Sequence, residues 1–136
     1  MIHRRPDWYA RLQALMVQRL AAPFAWGRAD CCTWAADCWQ AMTDTDPLGP
    51  LRGTYATRRQ ARGLLRQCGG LSAAIGARLG APCAAGAAIV PGSVVLAQQG
   101  RHQVLGLAWP AGLVGVGSTG LVILHATTPL LSWRPE

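Results

Sequence analysis

The stretch that decides the fold is Phe24–Asp37, which reads FAWGRADCCTWAAD. Asp30 belongs to the preferred helix N-cap residues, and apolar side chains recur after it at helical spacing, so the sequence predicts a helix over Cys31–Met42. Cys31 then lies in the first turn of this helix. Unpaired backbone N–H groups and the helix dipole favour a thiolate there, which makes Cys31 a candidate nucleophile.

The pattern of apolar residues changes period along the chain. Helical spacing dominates before Gly92, and short alternating segments separated by Gly-rich turns follow it. The predicted helices are Asp7–Leu20, which Asp7 can cap, Thr57–Cys68 and Leu71–Leu79; the predicted strands are Ser93–Ala97, Val104–Trp109, Leu113–Val116, Leu121–His125 and Leu131–Arg134. Helices followed by an antiparallel sheet indicate an α+β fold, and 136 residues suit a single domain over residues 1–136.

The composition is that of a globular protein, with 51% hydrophobic and 14% charged residues. Glycine and proline interrupt the most apolar runs, so no membrane span is predicted. The five cysteines are an odd number and no export signal is visible, which predicts reduced thiols in a protein made in the cytoplasm. The net charge is +7, and all 13 basic residues are arginine.

Four segments carry a resemblance to the NlpC-type papain-like cysteine peptidases. They are the Trp-Gly and Asp-Cys pairs within Trp26–Cys31, followed by Pro91–Leu96, Val104–Leu107 and Val122–Ala126. The resemblance covers Phe24–Ala126, preceded by the leading helix. It implies a papain-like core in which N-terminal helices, one bearing the nucleophilic Cys, pack on a small C-terminal antiparallel sheet that supplies His and a third polar residue.

The sequence departs from this family pattern on the strands. The family's catalytic His position falls on Val104, and Ser93 stands where an Asp is usual. His102 lies two residues before Val104, and a bulge near it would be needed to bring its ring to the thiol. His125 matches the position of the third polar residue. If the protein is active, the resemblance therefore implies Cys31 as nucleophile with His102 or His125 as base.

Other roles for these residues stay open at the level of sequence. Cys31 lies on the buried stripe of its helix, and free cysteine is often a buried structural residue. Cys32 is predicted to face away from that stripe. His102 reads as an exposed residue at the start of a strand, and His125 as a structural histidine. No C-x-x-C pair is present, so the sequence predicts neither a metal site nor a cofactor.

Arginine and tryptophan residues indicate a surface for partner proteins. Arg58, Arg62 and Arg66 fall on one helical face at four-residue spacing. Trp39 lies off the inner stripe of its helix and Trp133 lies near the C-terminal end, and both residue types are enriched at interface anchors. These five residues are therefore the predicted partner contacts.

The resemblance extends to a narrower group through Arg52–Tyr55 and Gly69–Leu71. That group comprises small phage and prophage proteins encoded among tail genes. The leading hypothesis is accordingly a structural protein of the virion tail, at the tail tip or baseplate, that contacts other tail and baseplate proteins. An alternative is an active cysteine peptidase or amidase that cuts host peptidoglycan during DNA entry. A second alternative is a nucleic-acid-binding protein, which rests on the arginines alone.

Overall fold

The computed structural model describes residues 2–84 and 87–136, so Met1, Ala85 and Gly86 of the predicted domain lie outside the described residues. The helices are α1 (Trp8–Arg19), α2 (Cys31–Thr43), α3 (Arg58–Gln67) and α4 (Leu71–Leu79), with a short 3-10 helix at Gly49–Leu51. The strands are β1 (Val94–Gln99), β2 (His102–Trp109), β3 (Gly112–Gly117), β4 (Gly120–Ile123) and β5 (Thr127–Trp133).

The five strands form one antiparallel sheet in the order β4-β3-β2-β1-β5. Strands β1 to β4 follow one another as hairpins, and β5 returns to pair with β1 at the other edge of the sheet. All the helices precede all the strands along the chain. The predicted α+β class is therefore confirmed.

Helix α2 packs on the sheet through its buried face, as predicted. Trp34, Cys38 and Met42 are fully buried in a core shared with Leu105 and Leu107 of β2. The indole Nε1 of Trp34 also donates a hydrogen bond of 3.0 Å to the carbonyl oxygen of Val114 in β3. The N-terminal end of α2 is thereby fixed in position relative to the sheet.

Helix α1 packs against α2, but its N-terminus differs from the prediction. Asp7 occupies the N-cap position without making a side-chain capping hydrogen bond. Its carboxylate instead lies 3.5 Å from the Nε of Arg11, one turn into the helix. The backbone of Asp7, with φ of −95° and ψ of 22°, departs from the extended conformation that a capping residue usually adopts. Asp7 therefore acts as an exposed ion-pair partner of Arg11 and not as a side-chain cap.

The predicted surface tryptophans are in fact core residues. Trp39 is 4% exposed and Trp133 is 2% exposed, and both belong to the hydrophobic cluster between α2 and the sheet. The Trp133 Nε1 also donates to the carbonyl oxygen of Gly80 at 3.0 Å. Their expected role as exposed partner anchors is therefore corrected, since neither indole is available at the surface.

The last strand is longer than its sequence pattern indicated. Strand β5 begins at Thr127 rather than Leu131 and includes Pro129. Because β5 is an edge strand, a proline without an N–H is tolerated there. The pairing of β5 with β1 also shifts register between Leu96 and Ala97, which accommodates this segment.

Within residues 2–84 and 87–136, every helix is too short or too polar to cross a membrane.

Candidate functional site

Asp30 organises the N-terminus of α2 through a buried hydrogen-bond network. Its Oδ1 accepts from the backbone N–H of Thr33 at 2.8 Å, and the Thr33 hydroxyl accepts from the Asp30 N–H at 2.9 Å. Its Oδ2 accepts from the backbone N–H of Gly27 at 2.8 Å and from the Tyr55 hydroxyl at 2.6 Å. Asp30 and Thr33 thus form a complete capping box, and the Asp30 carboxyl group accepts two further hydrogen bonds, from Gly27 and Tyr55. The predicted cap is confirmed.

Gly27 allows the loop before α2 to pack closely against Tyr55. Its φ is +79°, and an added Cβ would overlap the backbone carbonyl oxygen of Tyr55. Only glycine meets both requirements without strain. The Trp-Gly pair of the sequence therefore has a structural reason, namely the approach of the Tyr55 segment to the cap.

Cys31 follows this cap and lies beside a second thiol. Hydrogen bonding from the Cys32 thiol and from the backbone N–H of Leu105 lowers the pKa of Cys31, although burial and Asp30 oppose this shift. The hydrogen bond to Cys31 and burial raise the pKa of Cys32 well above its ordinary value, with Arg78 opposing. Cys32 is expected to face away from the stripe of Cys31, but both residues line one cleft.

A cleft of about 240 Å³ opens beside the two thiols. Its walls come from α2, the 3-10 helix, α3 and α4, and most of the side chains that line it are apolar. The lining residues include Trp26, Cys31, Cys32, Leu48, Leu51, Tyr55, Ala61, Leu64, Leu65, Cys68, Leu71, Ile75, Arg78, Leu79 and Gln103. Among the described residues of the sheet, only Gln103 of β2 lines the cleft.

The predicted base candidate on β2 lies on the other face of the strand. The β1–β2 register runs without a bulge from Val94↔Leu107 to Gln99↔His102. Side chains alternate along a strand, so His102 and Val104 share one face, while Gln103 and Leu105 share the face that meets α2. The structure therefore does not bring His102 to the Cys31 side of the sheet.

His125 also lies outside the cleft. It is exposed in the connection between β4 and β5, and its carbonyl oxygen accepts from the Gln99 side chain at 3.0 Å. Gln99 is paired with His102 across the β1–β2 hairpin, so both histidines lie at the same end of the sheet. Neither lines the cleft that contains Cys31.

The part of the chain that the structure describes contains no cluster of three or more His, Cys, Asp or Glu side chains able to hold a metal ion. Cys38 is fully buried in the core, and that burial raises its pKa well above the ordinary value. All five cysteines are free thiols.

Helix α3 presents the predicted arginine face to solvent. Arg58, Arg62 and Arg66 are exposed and, together with Arg59, outline a shallow recess at Gly63. The ion pairs found across residues 2–84 and 87–136 involve other arginines, namely Arg5, Arg11, Arg19 and Arg52. The arginine face is therefore a concentration of positive charge with no carboxylate partner in the described chain.

The family model described as "Domain of unknown function (DUF6950)" matches residues 3–135. The chain belongs to this family. No curated protein and no solved structure matches the sequence. The match spans the capped helix, the cleft and the whole sheet of the DUF6950 domain, so these features belong to one family unit.

Three contributors to this site in the DUF6950 domain were missed by reasoning from sequence: the Tyr55 hydroxyl, the Leu105 backbone N–H and the Gln103 side chain. Tyr55 is 25 residues from Asp30 along the chain, and Leu105 is further from Cys31. No local spacing connects them. Side chains alternate along a strand, so the sequence alone places His102 and Gln103 on opposite faces of β2. Which of these faces meets α2, and so which residue lines the cleft, depends on tertiary packing.

Proposed function

We propose that this DUF6950 domain is a catalytically degenerate NlpC-type papain-like domain that acts as a structural component of a bacteriophage or prophage tail. The fold proposal is supported by the arrangement of α2, which places Cys31 at its N-terminus and packs on an antiparallel sheet. It is also supported by the resemblance of Phe24–Ala126 to that family. The tail assignment rests on the resemblance of Arg52–Tyr55 and Gly69–Leu71.

One observation carries the proposal of degeneracy: no imidazole lines the cleft beside Cys31 within the described residues. A general base must come within about 3 Å of the proton that it removes, directly or through one water. The side chain that β2 places in the cleft is Gln103, and an amide is not a base at neutral pH. Cys31 therefore has the position of a nucleophile without the partner that would activate it and later protonate a leaving group.

The competing hypothesis of an active peptidase or amidase has one observation in its favour. The Cys32 thiol and the Leu105 N–H lower the pKa of Cys31, so a thiolate forms there more readily than at an ordinary cysteine. A thiolate alone still lacks a proton donor for the leaving amine. This hypothesis therefore requires a histidine supplied by another chain or by a rearranged sheet end.

The arginine face of α3 is the proposed contact with neighbouring tail proteins. Four exposed guanidinium groups on a ten-residue helix favour a partner surface rich in carboxylates, since arginine binds carboxylates through two parallel hydrogen bonds. Trp39 and Trp133 take no part in this proposal because both are buried.

A phage assembly experiment with three variants tests the proposal. We expect Cys31→Ser to be incorporated into virions and to leave infectivity unchanged, whereas the triple variant Arg58→Glu, Arg62→Glu, Arg66→Glu is not incorporated. The matched control reverses Arg28, Arg101 and Arg134, which are exposed elsewhere, and so gives the same change of net charge. We expect this control to be incorporated normally.

The outcomes separate the hypotheses. Incorporation of Cys31→Ser with loss of infectivity, together with lysis of peptidoglycan by the purified wild-type protein, establishes the enzyme instead. Equal incorporation of the two arginine variants removes the arginine face as a tail contact. Absence of the wild-type protein from virions rejects the tail assignment.

A further inference from the structure

The cleft beside Cys31 has the size and surface of a small-ligand site. Its volume of about 240 Å³ exceeds the ~150 Å³ of an apolar engineered cavity that binds benzene, and it is below the roughly 300–1,000 Å³ typical of drug-sized ligands. A molecule of intermediate size therefore fits it. The space adjoins the thiol pair but extends away from it, between α2 and the two helices α3 and α4.

The outer wall of the cleft exposes apolar side chains that a ligand would cover. Helix α3 has no buried residue, although Ala61, Leu64 and Leu65 all turn toward the cleft. Leu71 and Leu79 of α4 are likewise only half-buried. Burial of apolar surface contributes roughly 25 cal/mol per Å², so an apolar occupant gains from contact with this wall.

One charged group in the cleft has no partner of opposite charge. The half-buried guanidinium of Arg78 donates a single hydrogen bond, to the carbonyl oxygen of Ala74 at 3.2 Å, and forms no ion pair with the described residues. Among the described residues, the only carboxyl group that lines the cleft is that of Asp30, and its two oxygens already accept from Thr33, Gly27 and Tyr55. Both oxygens of Asp30 are thus occupied by N–H and O–H donors, whereas most of the N–H donors of Arg78 remain free for a ligand.

We propose that this cleft binds a small apolar molecule with one carboxylate, of the medium-chain fatty-acid class. The hydrocarbon chain lies against Leu64, Leu65 and Ile75, and the carboxylate pairs with Arg78. A charge-assisted pair with arginine is about twice as strong as a neutral hydrogen bond. This inference does not depend on the tail assignment or on whether Cys31 is catalytic.

Isothermal titration calorimetry of the protein with octanoate tests the proposal. We expect saturable binding of one octanoate, and weaker binding of octanol by about tenfold, because octanol lacks the charge that pairs with Arg78. Arg78→Gln should weaken octanoate binding by about tenfold and leave octanol binding unchanged. Arg101→Gln removes an exposed arginine outside the cleft and should leave both unchanged.

Equal affinity for octanoate and octanol in the wild-type protein, or absence of octanoate binding, overturns the proposal. A second variant, Ala61→Phe, fills the cleft from the exposed helix α3 and should abolish binding of both ligands. Retained binding in Ala61→Phe would place the ligand elsewhere and reject the cleft.

Alkylation of the thiols gives an independent measurement on the unmodified sequence. Cys31 and Cys68 line the cleft, whereas Cys83 does not. Octanoate should slow the reaction of iodoacetamide with Cys31 and Cys68, and leave its reaction with Cys83 unchanged, as measured by peptide mass spectrometry. Equal effects on all three thiols, or no effect on any, count against a ligand in the cleft.

Discussion

Two helices of this domain, α2 and α3, begin at a residue whose side chain caps the helix. The two caps differ in burial and in the number of hydrogen bonds that the capping side chain accepts. Asp30 caps α2 in the interior, where the backbone N–H groups of Gly27 and Thr33 and the distant Tyr55 hydroxyl donate to its carboxyl group. Thr57 caps α3 at the surface, where its hydroxyl accepts only from the backbone N–H of Gln60. The same local motif therefore serves as a structural centre in one helix and as a minor stabilising contact in the other.

The two caps lie in parts of the molecule that have different proposed roles: α2 holds the fold together, and α3 binds partners. The N-terminus of α2 fixes Cys31, the Tyr55 segment and the sheet relative to one another, so changes there affect the whole fold. Helix α3 has one face on the cleft and one face of exposed arginines, and no residue in it is buried. Changes on α3 are thus expected to alter binding while the fold is preserved.

The largest expected effect comes from removing the two caps in parallel. Asp30→Ala leaves the Gly27 N–H and the Tyr55 hydroxyl without their acceptor in a buried site and should reduce the free energy of unfolding by about 4 kcal/mol. Thr57→Ala should reduce it by about 1 kcal/mol, since water can replace the lost hydroxyl. Urea unfolding of both variants measures the difference, and equal losses would show that the buried network adds nothing beyond a cap.

A pair of glycine substitutions should show the same contrast with opposite signs. Gly27→Ala introduces a Cβ that overlaps the Tyr55 carbonyl oxygen at a positive φ, and should destabilise the protein by about 3 kcal/mol. Gly63→Ala lies inside α3, where an added Cβ meets no atom within 4 Å, and should stabilise it by about 0.5–1 kcal/mol. Thermal unfolding compares both with the wild-type protein; a tolerated Gly27→Ala would mean that the Tyr55 segment moves freely.

The elements that were predictable from sequence are those with local signals. The cap at Asp30 and the start of α2 at Cys31 follow from residue types at neighbouring positions. A single buried stripe on α2 predicts that Trp39 lies at the surface. Eight of the thirteen residues of α2 are buried, because both α1 and the sheet pack against this helix. A single buried stripe does not describe a helix that is covered on two sides.

The candidate site was predictable only where it is local. Cys31 could be identified from its place after Asp30, but its relation to the histidines depends on the register and face of β2. His102 and Gln103 are adjacent in sequence and lie on opposite faces, so a shift of one residue decides which of them lines the cleft. That choice is made by the packing of Leu105 and Leu107 on α2, which is a tertiary contact.

The smallest expected effect is a shift in the pH dependence of Cys31 reactivity. The thiolate is the species that iodoacetamide alkylates, so a lowered pKa moves the midpoint of the rate profile of Cys31 below that of an ordinary cysteine. The Cys32 thiol is the largest cause of the lowering, and Cys32→Ala should therefore raise the pKa of Cys31 and move the midpoint to higher pH. Cys68→Ala changes another thiol of the same cleft without removing that hydrogen bond and should leave the midpoint in place. Peptide mass spectrometry resolves the rate at Cys31 from those at the other cysteines. Identical midpoints in the wild-type protein and in Cys32→Ala would show that the helix N-terminus and the Leu105 N–H suffice, and that the second thiol of the pair contributes only to packing.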